Sequence, residues 1–404
     1  MKIGILLPYK ENFSPEYPGA VSLFVYETSK KSKFKKDIIV FGNTNFKKKF
    51  SLKYVNINLT KSLLTSQTKN YVNRFINLQK KYQFSIIEVH NRPNYIYQLN
   101  DRIPKSIFSL YFHNDPLSMN GSKTVKERKK LLKICYKIIF NSNWSKKRFL
   151  EGLENKFVNS DKLAIFFQSA KKSKLSIVNK KKNWITFVGK LNKAKGYDIF
   201  AKSIKDILDK YPNWRAKIIG DEKREKINLQ HKNVDLLGFL NHEKVLKIFK
   251  NTSIAVACSR WDEPFGRTSL EASANGCAVI ITNKGGLPET ITNAKILSNL
   301  SKKELTKNIK NLILDNKLRK KLQLLSLKNF YLTHEFVTKM IDNYRSDKLK
   351  LNNFFFIKKI KKTLRILHIT NFNERLDGRL FFNTGRRINN GFIRSGHSVL
   401  GFSD

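Results

Sequence analysis

Cysteine is scarce: Cys135, Cys258 and Cys277 are the only three in 404 residues. They are odd in number, widely spaced and set in apolar surroundings, which argues against a disulfide framework or a cysteine zinc site and points to a reducing cytoplasm. The seven histidines form no HExxH or similar ligand spacing, and no Asp-x-Asp pair is present to seat a metal on a diphosphate. No metal is expected. No apolar run approaches the ~18 residues of a membrane helix. The opening MKIGILLPYK is broken by Pro8 and Lys10, too short for a signal segment and without a small-residue cleavage site, so it reads as a first strand.

Acid is the other shortage, with 31 Asp and Glu against 79 Lys and Arg and a formal charge of +48. Such a balance suggests a polyanionic partner. Only 17 of the basic residues are arginine, however, which leaves 62 lysines spread over nearly every segment of a chain also rich in Asn, Ile and Phe, residues with AT-rich codons. A base-reading surface would concentrate arginine forks and stacked aromatics on one face. Compositional bias is therefore favoured over nucleic-acid binding, while attraction to an anionic membrane surface needs only a distributed positive face. Hydrophobic residues make up 41% and charged ones 27%, a globular composition. At roughly 150 residues per domain the length suits two or three domains.

Residues 1–168 alternate short β-branched runs, KIGILL, DIIVF, SIIEVH, SIFSLYF and KIIFNS, with amphipathic stretches, the signature of a parallel sheet covered on both faces. Residues 169–183 are polar, basic and aperiodic, and read as a linker. The pattern restarts over 184–345 with ITFVGK, RAKIIGD, NVDLLGF, SIAVACS, AVIIT and KILS, followed by helical periodicity from 301. The expected fold is α/β, two Rossmann-like parallel-sheet domains facing a cleft. A basic linker (346–363) then leads to LRILHIT, a helical stretch and HSVLGFSD, the start of a further Rossmann-like domain that reads as incomplete over 364–404.

Chemistry gathers at strand ends in the second repeat. In FVGKLNKAKG, Lys190 and Lys195 follow the strand-end Gly189, where ammonium groups and backbone N–H groups together suit a diphosphate. The bland alternative is two lysines on a loop of a lysine-rich chain. In DEPFGRTSLEASANG, Glu263 lies just past a strand, and the chain turns at Gly266 into a helix whose first amides, at Phe265, Gly266 and Arg267, could surround an anion or sugar hydroxyls. Glu271 lies one turn inside that helix, and a carboxylate can hold two adjacent hydroxyls in a fork. Alternatively, Glu263 caps the helix and Glu271 pairs with a lysine. The Gly-Gly of ITNKGGLPETI would permit close backbone approach to a ligand or form an ordinary turn.

The order VGKLNKAKG, EPFGRTSLEASANG, GGLPE resembles the donor-binding half of retaining, nucleotide-sugar-dependent glycosyltransferases of family 4, which have the GT-B fold. The resemblance covers residues 1–345 and extends to YPGAVSLFVYE, EVHNRP, YFHNDP and FNSNWSKKRF in the first half and NFYLTHEFVTKMIDNY as a terminal helix crossing back. It implies that Lys190 and Lys195 neutralise the donor diphosphate, Glu263 with the Phe265–Gly266 amides holds the transferred sugar, and Glu271 holds the ribose. Gly19 would let the first-domain loop approach the phosphates, His113 would line the cleft, and Asn91 and Arg92 would contact the acceptor. Pro18 stands where many relatives carry a glycine, and Lys190 where they carry arginine. No cofactor is implied beyond the nucleotide-diphosphate sugar as donor substrate; the partners would be that donor and a glycan or lipid-linked acceptor. A nucleotide-sugar epimerase, a glucan synthase and a non-catalytic basic binding protein are the competing readings.

Overall fold

The computed structural model describes residues 2–59, 66–222, 224–225, 227–355, 364–370, 384–394 and 397–403. Two compact units divide the chain, residues 1–342 and 343–404.

The larger unit holds two parallel sheets. The first comprises β1 (Ile3–Leu6), β2 (Ile38–Gly42), β3 (Tyr54–Asn56), β4 (Ile86–His90), β5 (Phe108–Phe112), β6 (Lys137–Phe140) and β7 (Leu163–Ile165), in the order β3-β2-β1-β4-β5-β6-β7. Helices α1 (Ala20–Lys31), α2 (Gln67–Gln79), α3 (Pro93–Arg102), α4 (Val125–Ile134) and α5 (Asn143–Leu150) connect them. The second comprises β8 (Lys182–Val188), β9 (Arg215–Ile219), β10 (Val234–Leu236), β11 (Thr252–Ala257), β12 (Ala278–Thr282) and β13 (Lys295–Leu297), in the order β10-β9-β8-β11-β12-β13. Its helices are α6 (Tyr197–Lys210), α7 (His242–Asn251), α8 (Arg267–Ala274), α9 (Lys302–Leu314), α10 (Asn316–Lys328) and α11 (His334–Phe355).

The central strands are apolar without alternation because helices cover both faces of each sheet: every residue of β4, β5 and β12 is buried. Separate cores result, one around Phe41, Phe75, Tyr95 and Phe140, the other around Phe187, Phe200, Ile218 and Ile280. The strand order reverses between β1 and β4 and again between β8 and β11. At such a switch point the flanking loops leave in opposite directions and open a crevice at the carboxyl ends.

The chain crosses between the sheets twice, side by side. Ala170 N donates to Leu332 O at 3.0 Å, and α11 then lies on α1, where Thr338 Oγ1 donates to Thr28 O (3.2 Å) and Asp342 accepts from Ser32 Oγ (2.6 Å) and Lys33 N (2.8 Å). The stretch 169–183 is more ordered than its aperiodic sequence suggests. It contains a 3-10 turn at Leu175–Lys180, and Lys181 Nζ donates to the carbonyls of Phe249 (2.9 Å) and Asn275 (2.6 Å) at the ends of α7 and α8. The helix α11 runs to Phe355, so residues 346–355 of the expected basic linker are helical, while 356–363 lie outside the described residues.

In the smaller unit, β14 (Arg365–Thr370) and β15 (Ser398–Ser403) pair in parallel with α12 (Thr384–Arg394) between them in sequence, the strand–helix–strand order expected.

Candidate functional site

At the β8/β11 switch point a cavity of about 230 Å³ opens between the two sheets. Local backbone geometry brings Lys195 to its floor. Asn192 Oδ1 accepts from Lys195 N at 3.1 Å, making a single 3-10 turn, and Gly196 follows with φ +72°. A Cβ on Gly196 would lie 2.0 Å from Cys258 O, so only glycine lets this turn seat against the end of β11. Lys195 Nζ then forms an ion pair with Glu263 Oε1, which also accepts from Ser259 Oγ at 2.5 Å. Trp261 lies under the ammonium, its ring centroid 5.3 Å from Nζ, with 44% of its surface exposed. Phe265, Gly266 and Arg267 also line the cavity. Gly266 has φ +108°, and a Cβ there would strike Leu287 Cδ2 at 2.4 Å. The first-turn amides of α8, without intrahelical acceptors, thus begin at the cavity wall.

The first sheet contributes the opposite wall. His113 is buried, its Nε2 3.0 Å from His90 Nδ1 and its ring edge-on to Phe24. Burial pushes its pKa down to about 3, so the imidazole is neutral at physiological pH. His113 Nδ1 and Gln168 Oε1 are buried, line the same cavity and have no hydrogen-bond partner among the described residues. Two orphaned polar atoms in one cavity are what a polar ligand would satisfy.

Asn91 and Arg92 lie behind this wall and line neither this cavity nor the larger one described next. Asn91 adopts a left-handed conformation (φ +56°), and its Oδ1 accepts from the amides of His113 and Asn114, both at 3.1 Å. Arg92 Nη1 donates to Asn91 O at 2.6 Å. Gly19 caps α1 with an ordinary extended backbone; a Cβ there would meet the Glu11 carboxylate at 2.2 Å, and Glu11 Oε1 accepts from Ser22 N at 2.8 Å. The missing side chain therefore makes room for the chain's own Glu11.

A second cavity, about 710 Å³, is lined by Glu271, His242 and Glu27, and by Arg267, which also lines the first. Glu271 is buried, and its Oε1 accepts from Arg267 Nε (2.6 Å) and faces His242 Nε2 (2.8 Å). Arg267 Nη2 donates to Glu27 Oε2 on α1 at 2.8 Å, joining the two sheets' helices. Burial alone would raise the Glu271 pKa; the charges of Arg267 and His242 outweigh it and hold the carboxyl down at about 2. Burial likewise disfavours charge on Arg267, but Glu27 and Glu271 raise its pKa.

The remaining motif residues have other neighbours. Lys190 is exposed and lines neither cavity. Gly189 N donates to Ile219 O (3.0 Å), and its carbonyl packs so closely on Gly220 that a Cβ there would be 1.8 Å away. The Gly285–Gly286 pair approaches not open space but Glu263 and Pro264: Gly286 N donates to Glu263 O at 2.6 Å, and a Cβ on Gly285 would lie 2.2 Å from that oxygen. The neighbouring Glu289 crosses to the first sheet and accepts from Asn143 N (2.7 Å) and Trp144 N (2.8 Å) at the start of α5. Among the described residues no cluster of three His, Cys, Asp or Glu could hold a metal ion.

Ser259 and Trp261 were discoverable from sequence, since both sit between the end of β11 and Glu263. Gln168 carries no local signal; Glu27 and Glu289 close the YPGAVSLFVYE and GGLPE stretches, but nothing local says that Glu27 meets Arg267 or that Glu289 holds the start of α5, contacts made only because one sheet packs on the other.

Comparison with known proteins places this geometry in a wider setting. Residues 168–323 match the family model described as "Glycosyl transferases group 1". Spore coat protein SA of Bacillus subtilis is 26% identical over 247 residues, 54% of this chain and 64% of that protein. An uncharacterised glycosyltransferase of Methanocaldococcus jannaschii is 34% identical over 115 residues, 26% of this chain and 29% of that protein. The chain thus spans less than two thirds of the length of each of these relatives. Anabaena HepE, solved in complex with UDP-glucose, superposes with a TM-score of 0.69 at 15% identity, covering 86% of this chain and 100% of that one. The architecture is that of GT-B glycosyltransferases, two parallel-sheet α/β domains.

Proposed function

We propose that the chain is a retaining hexosyltransferase that takes its sugar from a nucleoside-diphosphate donor and passes it to a glycan or lipid-linked acceptor, in envelope polysaccharide or lipopolysaccharide synthesis. The observation that carries this reading is the convergence, at a switch point between two sheets, of the Lys195–Glu263 pair, the α8 amides and the orphaned His113 Nδ1 and Gln168 Oε1 in one cavity. The family match over 168–323 and the GT-B architecture support it.

In this reading the hexose occupies the smaller cavity. Glu263 accepts its hydroxyls, the Phe265–Gly266 amides donate to it, and neutral His113 lies alongside. Lys195 turns from Glu263 to the diphosphate, and exposed Lys190 swings in as a second cation. The nucleoside extends into the larger cavity, where Glu271 takes the ribose hydroxyls and Arg267 spans the two spaces. As the bond from anomeric carbon to phosphate oxygen breaks, its electron pair passes to the diphosphate, and the ammonium groups and helix amides stabilise that charge. The acceptor hydroxyl adds to the same face of the anomeric carbon, and its proton goes to the departing phosphate oxygen. Gly19, between the cavity-lining Pro18 and Ala20, flanks the phosphates, and Asn91 and Arg92 serve the acceptor side indirectly, through the His113 amide that Asn91 Oδ1 holds. The enzyme would work in the cytoplasm, peripherally at an anionic membrane.

A thermal-shift panel of UDP, GDP, ADP and CDP tests the donor assignment. At a hundredfold excess over its dissociation constant a ligand adds about 2.7 kcal/mol of stability. One nucleotide should raise the melting temperature by several degrees; a chain indifferent to all four would sink the reading.

A further inference from the structure

Tyr17, in the loop between β1 and α1, and Phe239, in the loop between β10 and α7, stack across the cleft with centroids 4.5 Å apart and planes 28° from parallel. They come from different sheets and both lie at carboxyl strand ends. Each remains about half exposed, at 49% and 45%. Buried aromatics are explained by the core, but this pair belongs to neither core and its rings stand largely in solvent. The flanking residues are not incidental: Pro15, Glu16 and Pro18 on one side, and Asn241 and His242 on the other, line the larger cavity that holds Glu271. The Phe239 loop starts at Gly238, which has φ +61°, nothing within 4 Å of a Cβ and its carbonyl accepting from Gly220 N at 2.8 Å, so the loop is anchored there and open beyond.

Resting on the donor reading above, we propose that Tyr17 and Phe239 are a base clamp: the two rings part to admit the nucleobase of the donor and stack on its opposite faces. The chemistry fits a planar, π-faced group rather than a sugar or phosphate, because neither ring adds charge and each offers a flat face. Stacked carbon planes need about 3.5 Å per layer, so a base between the rings requires about 7 Å, an opening of roughly 3 Å from the free state. A contact between two loops is able to yield by that amount without disturbing either core. Because one ring belongs to each sheet, a bound base would bridge the two domains beside the sugar site. Tyr17 and Phe239 are thus positioning and specificity residues that do not touch the reacting atoms.

The test measures binding of the preferred nucleoside diphosphate and of inorganic pyrophosphate to the full chain and to Tyr17→Ala and Phe239→Ala, with melting temperature as a check on folding. Half-exposed rings should be removable without unfolding. Each variant should bind the nucleoside diphosphate roughly tenfold more weakly, the scale of losing one base-stacking partner, while pyrophosphate affinity stays within twofold. Conservative Phe239→Tyr should restore binding. Equal losses for both ligands would mean the pair acts only in domain closure, and unchanged nucleotide affinity would remove it from the site; either result overturns the clamp. Failure of the donor reading shows differently, as absence of nucleoside-diphosphate binding in the unaltered chain.

Discussion

Glu263 and Glu271 are eight residues apart, yet their surroundings give them different work. Glu263 meets an ammonium that can be drawn away, whereas Glu271 is locked by Arg267 and His242. Glu263→Gln should therefore cost about 10² to 10³ in kcat, the usual loss for one stabilising group at the reacting centre, with nucleoside-diphosphate affinity nearly unchanged. Lys195→Ala should weaken the nucleotide itself; steady-state kinetics beside calorimetric binding separates the two. Acid titration distinguishes a further pair. The folded His113 pKa, about 3, lies below the unfolded value of about 6.5, so its stability contribution is complete above pH 6.5 and shrinks as pH falls, by about 2 kcal/mol at pH 5. The Glu271 pKa is depressed too, but from the ordinary glutamate value of about 4.5 to about 2, so its contribution, on the order of 3 kcal/mol, is lost only between those values. Urea unfolding of His113→Gln should show a flatter dependence between pH 7 and 5 than the unaltered chain; an equal slope would assign the sensitivity elsewhere. Of the residues singled out in sequence, Lys195, Glu263 and Gly266 follow the ends of β8 and β11 and line the first cavity, while Glu271 lies one turn inside α8 at the second. Glu27 follows no strand end closely: it ends the YPGAVSLFVYE stretch in mid-helix, and its partner Arg267 meets it only because α8 packs against α1.

Among the elements, α8 shows how backbone freedom serves the site. Its start is fixed by Gly266 at φ +108° and by the Gly285–Gly286 turn pressing on Glu263 and Pro264. Gly285→Ala would meet backbone at 2.2 Å, which no side-chain adjustment relieves, on top of the penalty of roughly 1–2 kcal/mol for a left-handed residue. The loss of transfer should exceed what the fall in melting temperature explains, because the displaced atoms are those of Glu263. Glu289→Ala acts on another element, removing the acceptor of two amides at the start of α5. A cost of about 1–2 kcal/mol is expected, readable in chemical denaturation. Every strand expected from the apolar runs of residues 1–298 is present: the central strands, covered on both faces, have nothing polar to blur them, and the edge strands β10 and β13 are flagged by the apolar residues of NVDLLGF and KILS. The short edge strands β3 (YVN) and β7 (LAI) were not legible: edges are half-exposed and need little apolar content. The role of GGLPE was likewise hidden, since whether a glycine pair approaches a ligand or its own chain depends on what packs beneath it.

For the whole molecule, the charge of +48 is spread too evenly to mark a site, but α9 and α10 place it beside apolar surface. Lys307, Lys317, Lys320 and Lys321 are exposed there, with Leu314 61% and Leu324 38% exposed. Lysines flanking protruding leucines suit the interface of an anionic bilayer, each cation adding about 1 kcal/mol near the surface. None of the helices in the described residues is long and apolar enough to cross a membrane. The chain should cosediment with phosphatidylserine vesicles and release as ionic strength rises from about 0.05 to 0.5 M, where the screening length falls to a few ångströms. Lys317→Glu/Lys320→Glu/Lys321→Glu should weaken this binding several-fold more than three reversals on α4, at Lys126, Lys129 and Lys130, while leaving nucleotide affinity intact. If both triple variants lose the vesicles equally, the attraction belongs to net charge alone and the α9–α10 face has no special part in it.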